Sequence, residues 1–297
     1  MSKSYFLILF FIFACACTER TELGSKKNPI QISLTPGKDI VLLKNSGEKL
    51  KEYLEDKLDL YFEVHVPPSY VAVVETFGTK RTDLAILNTM GYLIAHEKYG
   101  AEAIFILTNQ GRDQYRGQII AKVTGPKNLK ELNGKKFAFV DPISASGHLL
   151  PAQLFKKNNI QLKEYVFAGR HDSVVSMVYQ GQVDAGATFW APDENEEPFD
   201  ARKLVITQYP DIYKKVRVIA YTDFLPNEAL VVRKDFPEEL RKKIIHSLIS
   251  WSSSDDGKKT LKDLYNNDGL KQATDADYDP ARKVLKDLNK KVQDLSL

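Results

Sequence analysis

Asp141-Pro-Ile-Ser-Ala-Ser-Gly147 is a loop whose residue types suit the holding of an anion. An apolar stretch, Lys136 to Val140, precedes it, and an amphipathic run from His148 to Asn159 follows. The pattern reads as a strand that breaks at Asp-Pro and reopens as a helix at Ser-Gly. The first N–H groups of a helix have no intrahelical acceptor, and the helix dipole adds partial positive charge there. Ser144 and Ser146 add hydroxyl donors, Ala145 keeps its N–H, and Gly147 lets a ligand approach the backbone closely. The same residues also suit an ordinary capped helix start, because Ser and Asp are common caps.

Other chemistries find less material. The two cysteines, Cys15 and Cys17, both lie in the N-terminal segment, so the chain from Thr18 onward has no thiolate and no internal disulfide. His65, His96, His148 and His246 are scattered without metal-ligand spacing, and no metal or cofactor is expected. No nucleophile is paired with a base, so the chain does not read as an enzyme. Arg116 suits either a bidentate clamp on an oxyanion or a surface salt bridge. A formal charge of +3 gives no reason to expect a nucleic-acid partner.

The N-terminus points to export. Lys3 is the only charge before Glu19, and Tyr5 to Ala14 is an unbroken apolar run. That run is shorter than the roughly 20 residues a bilayer span needs, but it suits a signal peptide. Each cysteine follows an alanine, which resembles a bacterial lipobox. Cys15, with Ile12 three residues upstream, fits it better than Cys17. Residues 1–14 are therefore expected to be a signal peptide and 15–28 a lipidated tether, with plain secretion as the alternative.

Positioning the loop needs a scaffold, and the body alternates strand and helix. Strands are expected at Ile30–Thr35, Tyr61–Val66, Asp83–Leu87, Ala103–Thr108, Gly117–Val123, Lys136–Val140, Tyr165–Ala168, Ala185–Phe189, Arg217–Tyr221 and Ala229–Arg233. Helices are expected at Leu43–Leu58, from Ser69 through Phe77, at Gly91–Tyr99, near Leu129, from Gly147, and at His171–Gln180. Three more close the chain, at Pro237–Trp251, Asp256–Tyr265 and Asp277–Val292. Such alternation implies α/β architecture with parallel sheets covered by helices.

Tyr70-Val-Ala-Val-Val, Asp83-Leu-Ala-Ile-Leu, Gly91-Tyr92, Asp141-Pro-x-Ser-x-Ser-Gly147, Phe167-Ala-Gly-x-His171-Asp, Gly181-x-Val-Asp184-Ala and Pro226-Asn-Glu228 occur in this order. Together they resemble the substrate-binding proteins of phosphonate- and phosphate-type ABC importers, from about Pro29 to Trp251. The resemblance implies a two-lobed, type II periplasmic-binding-protein fold with ligand in the cleft. Lobe one would comprise residues 29–114 and 224–297 and lobe two residues 115–223, with crossovers near Arg112–Gly117 and Thr222–Asn227.

It also implies roles. Tyr70 and Tyr92 would present hydroxyls from lobe one. Ser144, Ala145, Ser146 and Gly147 would hold the oxyanion from lobe two. His171 would donate from its ring, more strongly when protonated, and Glu228 would be the later acid. An aminoalkylphosphonate binder carries an acid seven residues after the equivalent of Asp184; here that position is Ala191, with Asp193 and Glu194 the nearest acids. A phosphonate, phosphate or related oxyanion is therefore expected, delivered to a membrane permease by a monomer lipid-anchored on the extracytoplasmic face. The alternative on the same fold is a ligand sensor, or a ferric-iron binder using Tyr70, Tyr92, His171 and Glu228.

Overall fold

A computed structural model of the chain describes residues 21–36, 40–191 and 199–295. The leader, Cys15, Cys17, Asp193 and Glu194 lie outside the described residues.

The first half of the chain builds β1 (Ile30–Leu34), α1 (Ile40–Leu58), β2 (Phe62–His65), α2 (Tyr70–Gly78), β3 (Leu84–Leu87), α3 (Thr89–Tyr99) and β4 (Glu102–Thr108). The middle builds β5 (Gln114–Lys122), β6 (Lys136–Phe139), α4 (Leu150–Lys157), β7 (Glu164–Phe167), α5 (His171–Gln180), β8 (Ala185–Ala191), β9 (Phe199–Asp200), α6 (Ile212–Lys215) and β10 (Val216–Pro226). The chain then returns with β11 (Ala229–Val232), α7 (Glu238–Ser253), α8 (Asp255–Tyr265), β12 (Gly269–Gln272) and α9 (Asp279–Asp287).

Two sheets result. One has the order β12-β4-β11-β3-β1-β2, the other β10-β5-β8-β6-β7 with β9 on β8. Both are mixed, which departs from the expected parallel sheets. β1 lies parallel to β2 and β3, and β6 parallel to β7 and β8. The strands that carry the chain between sheets run the other way: β5 is antiparallel to β10 and β8, and β11 is antiparallel to β3 and β4. β10 extends to Pro226 and pairs with Gln114, so both connections between the sheets belong to one antiparallel ribbon. Asn227 pins this ribbon, donating from Nδ2 to the carbonyls of Leu107 (3.0 Å) and Arg112 (3.1 Å).

Local sequence explains the elements near the ribbon. β3 is buried along its whole length and reads as a continuous apolar run, as a central strand covered on both faces should. Asn88 caps α3 by accepting from Gly91 N–H, and Gly100, at φ 68°, ends it. The last helix is shorter than the expected Asp277–Val292. Asn289 adopts φ 59°, and the chain turns back so that Val292 and Leu295 bury in a 3-10 turn against the α3 side of the core.

Apolar clusters cover both faces of each sheet. The cluster around α3 and α9 also takes in Ala145, Leu149 and Leu150 from the second lobe, so it crosses between lobes. Gln153 Nε2 and Lys156 Nζ on α4 reach Asp287 Oδ2 and O on α9, each at 2.6 Å. A fully buried ring such as Phe105 is worth about 3–5 kcal/mol against truncation to Ala. No helix among the described residues is long and apolar enough to cross a membrane.

Candidate functional site

β6 ends at Phe139, and the chain turns through Asp141. Asp141 fixes the turn by accepting from Ile143 N–H on Oδ1 (2.9 Å) and from Ser144 N–H on its carbonyl (3.0 Å). The helix then opens with a wide turn, Ala145–Leu149, closed by Leu149 N–H to Ser144 O and Leu150 N–H to Ala145 O, each five residues back, as α4 proper begins. Ser144 is its cap, and its Oγ accepts from Gly147 N–H at 3.1 Å. One expected role is thereby modified: the Gly147 N–H is engaged by the Ser144 oxygen, while Ser144 keeps its own O–H as a donor. Among the described residues, the N–H groups of Ala145 and Ser146 meet no acceptor, and the Ser146 hydroxyl makes no hydrogen bond. Gly147 is required sterically: a Cβ there would lie 2.5 Å from Val140 Cγ2 and 2.9 Å from Ser144 Oγ.

The loop after β7 is stitched to this one. Val140 N–H donates to Gly147 O (3.1 Å), and Gly169 N–H donates to Val140 O (2.7 Å). His171 therefore starts α5 beside the anion loop. Its ring is enclosed and lies edge-on to Phe189 with centroids 4.9 Å apart; Nδ1 is buried without a partner. Burial outweighs the opposing pull of Asp172 and pushes its pKa down to about 4. The protonation expected to strengthen this donor is thereby confined to acid pH. The ring is neutral and offers one N–H.

The first lobe supplies phenols and a carboxylate. Ser69 caps α2 through Ala72 N–H and so sets Tyr70 in the first helical position. The Tyr70 hydroxyl has no hydrogen-bond partner among the described residues. Burial, then Glu228 and Asp141, against Arg170, push its pKa up to about 12. Those influences place it across from the loops of the second lobe. Glu228 is half-buried, lies next to Asn227 on the ribbon, and takes a 3.4 Å contact from Asn267 Nδ2. Its carboxylate acts on Tyr70, Tyr115, Tyr265 and Tyr278, which places it at the centre of a phenol-rich wall.

Tyr92 is not part of this wall's open side. It is fully buried, packs on Tyr278 at 4.4 Å between centroids, and donates to Asp275 Oδ1 at 2.7 Å. Its hydroxyl is spent on the C-terminal segment rather than turned to the cleft. The ferric set of Tyr70, Tyr92, His171 and Glu228 is accordingly not brought together, and no cluster of three metal-ligating acid, His or Cys residues occurs among the described residues.

Three contributors escaped the sequence reading. Tyr115 on β5 lies 3.5 Å from Thr89 Oγ1 and shares the influence of Glu228. Tyr265 ends α8 and donates to Thr35 O at 3.0 Å. Arg170 precedes His171 and acts on Tyr70. The Asn266 that ends α8 with φ 61° marks a helix stop, but nothing in the sequence marks Tyr265 as facing Glu228. Arg116 pairs with no carboxylate among the described residues. Its guanidinium lies 4.3 Å from the Trp190 ring, 3.9 Å from Tyr221 and 4.8 Å from Phe224, so it is an aromatic-packed side chain rather than a salt bridge.

Comparison with known proteins gives the family and the fold. Residues 32–278 match the family described as ABC transporter, phosphonate, periplasmic substrate-binding protein. A phosphonates-binding periplasmic protein of Escherichia coli is 26% identical over 222 residues, 71% of this chain and 62% of that protein, which is less than two thirds of its length. A phosphate-import protein of Mycolicibacterium smegmatis is 27% identical over 305 residues, covering 92% of this chain and 91% of its own. A Prochlorococcus marinus protein solved in complex with methylphosphonate superposes with TM-score 0.71 at 18% identity, over 88% of this chain and 98% of that one. The last match establishes the type II binding-protein fold.

Proposed function

The chain belongs to the family of periplasmic substrate-binding proteins of phosphonate ABC transporters, and from that premise we propose that it captures a small phosphorus oxyanion between its lobes. The observation that carries this reading is the pair of acceptor-less N–H groups on Ala145 and Ser146, beside the Ser146 hydroxyl at a helix start. Unpaired donors at a helix start suit an oxyanion, and the helix dipole favours the charge. Tyr70 O–H, on α2, and the neutral His171 ring, on α5, add two further donors. The relatives that bind phosphonates, phosphate and methylphosphonate support this ligand class.

Ligand contacts from both lobes would hold the closed form, which is the state a permease recognises by shape. Ala191, at the end of β8, stands where the resemblance calls for an acid to pair with a ligand amine, so an amine is expected to add little to affinity. We place the protein on the extracytoplasmic face, tethered by lipid on Cys15, on the strength of the apolar run and Ile12-Phe-Ala before it. Mass spectrometry of the mature N-terminus tests the tether: an unmodified start beyond Thr18 rules it out.

A thermal-shift and calorimetric series with phosphate, phosphite, methylphosphonate, aminoethylphosphonate, sulfate and taurine tests the ligand class, because binding to the native state alone raises stability. Phosphorus oxyanions are expected to raise the midpoint, with aminoethylphosphonate no better than methylphosphonate. Stabilisation by taurine alone would overturn the reading.

A further inference from the structure

The proposed site holds an imbalance of charge. The carboxylates of Asp141 and Glu228 both act on the Tyr70 hydroxyl, and the His171 ring is neutral. Among the described residues, one cation acts on that hydroxyl, Arg170. Backbone bonds put it there. Ala168 N–H to Phe139 O (2.9 Å) and Gly169 N–H to Val140 O (2.7 Å) carry the end of β6 alongside residues 168–169, and Gly169, at φ 78°, turns the chain into α5. Arg170 then occupies the cap position of α5 with an extended backbone and makes no side-chain cap.

Its guanidinium is oriented rather than consumed. Nε and Nη2 donate to the two oxygens of Asp172 at 3.0 and 3.1 Å, which fixes the fork by its inner edge. Nη1 meets no acceptor among the described residues, and the side chain keeps 68% of its surface open. Asp172 is thus a positioning residue for a cation that acts on Tyr70 and follows the backbone bonds joining residues 168–169 to the end of β6.

We propose that Arg170 is the charge-selecting residue of the site, setting a preference for doubly over singly charged tetrahedral oxyanions. The proposal rests on the oxyanion reading above and names what that reading leaves open. The loop N–H groups and the neutral donors Ser146, Tyr70 and His171 recognise oxygen atoms and discriminate little between one negative charge and two. The two carboxylates oppose a second charge on the ligand, and the fixed cation, with Nη1 still open beside its Asp172 pair, offsets that repulsion and so is the group that tips binding toward the dianion.

The groups facing Arg170 do not confuse a test between pH 6 and 8.5. Tyr70 on α2 titrates at about 12 and His171 at about 4. Asp172, where burial is outweighed by the Arg170 hydrogen bonds, titrates below the usual carboxylate range. Asp141 and Glu228 complete the charged set around the site. Methylphosphonate passes from monoanion to dianion near neutrality, whereas methanesulfonate, of the same shape, stays a monoanion.

Calorimetry over this range on the full mature protein, Arg170→Gln and Arg170→Lys decides the matter. The parent is expected to bind methylphosphonate more tightly as pH rises and to bind methanesulfonate weakly throughout. Arg170→Gln should lose about tenfold or more for the dianion and little for the monoanion, flattening the pH profile. Arg170→Lys should restore most of the slope, because charge and not fork geometry carries it. The unliganded melting temperature should barely move, since an exposed ion pair contributes little. An Arg170→Gln profile parallel to the parent's would overturn the proposal and leave the oxyanion reading intact. A parent that binds no phosphorus oxyanion would remove both.

Discussion

The two sides of the candidate site are built on different plans. On the second lobe, the loop Asp141–Gly147 satisfies itself locally: Asp141 holds Ile143 and Ser144, Ser144 holds Gly147, and the N–H groups of Ala145 and Ser146 are left over. On the first lobe, a wall of tyrosines is satisfied through distant partners. Tyr92 bonds to Asp275, Tyr265 to Thr35 and Tyr278 to Asn227, and Tyr70 alone of the four has no partner among the described residues. A recognition group is thus a polar group that the fold declines to satisfy. In one wall that is decided within seven residues of sequence, and in the other by contacts across most of the chain.

The largest expected effect breaks the local plan outright. Gly147→Val places a branched Cβ where Val140 Cγ2 lies 2.5 Å away, so the loop must move. Ligand binding should be lost, with a stability cost of about 1–3 kcal/mol from overpacking. Calorimetry together with denaturant unfolding separates the two effects. Retained affinity would place the anion elsewhere.

Ser146→Ala is gentler. It keeps the backbone N–H and removes only the free hydroxyl. Affinity for the cognate oxyanion should fall by about 1.5–3 kcal/mol, on the order of 10- to 150-fold. Unliganded stability should change less, because Ser144 still caps the turn.

Two conservative changes on the tyrosine wall sharpen the contrast. Tyr70→Phe should weaken the ligand by about 0.5–1.5 kcal/mol and leave the melting curve alone. Tyr92→Phe should do the reverse, losing about 1.5 kcal/mol of stability with its bond to Asp275 while ligand affinity stays within about twofold. If the pair behaved alike, the division between spent and unspent hydroxyls would be wrong.

This contrast also explains what the sequence could reveal. The anion loop was legible because a strand end, Asp-Pro and Ser-x-Ser-Gly are contiguous. The strand–helix rhythm was legible because burial repeats along each element. The antiparallel ribbon of β5 and β10 was not, since no local signal says in which direction a connecting strand will pair. Tyr70 and Tyr92 looked equivalent because the acid that occupies Tyr92 is 183 residues further on. The neutral state of His171 depended on its enclosure beside Phe189, which is equally non-local.

A smaller effect concerns pH without ligand. An unfolded His titrates near 6.5, whereas folded His171 takes up its proton only at about 4. Below pH 6.5 the unfolded chain binds a proton that the folded chain refuses. Stability present above 6.5 is therefore lost progressively as pH falls towards 4. His148, lowered by burial against its bond to Pro142 O, acts in the same sense. Urea midpoints measured from pH 7 to 4 should decline, and His171→Gln should decline less steeply. Equal slopes would mean that the His171 ring is hydrated in solution.

The most direct test watches the two left-over N–H groups themselves. In a proton–nitrogen NMR titration with methylphosphonate and with phosphate, the amide protons of Ala145 and Ser146 should move downfield and gain protection as calorimetric saturation is reached, while the Gly147 amide, already bonded to Ser144, moves less. Saturation with the Ala145 and Ser146 resonances unmoved would contradict the account, because the anion would then be bound without the groups that the loop leaves unsatisfied.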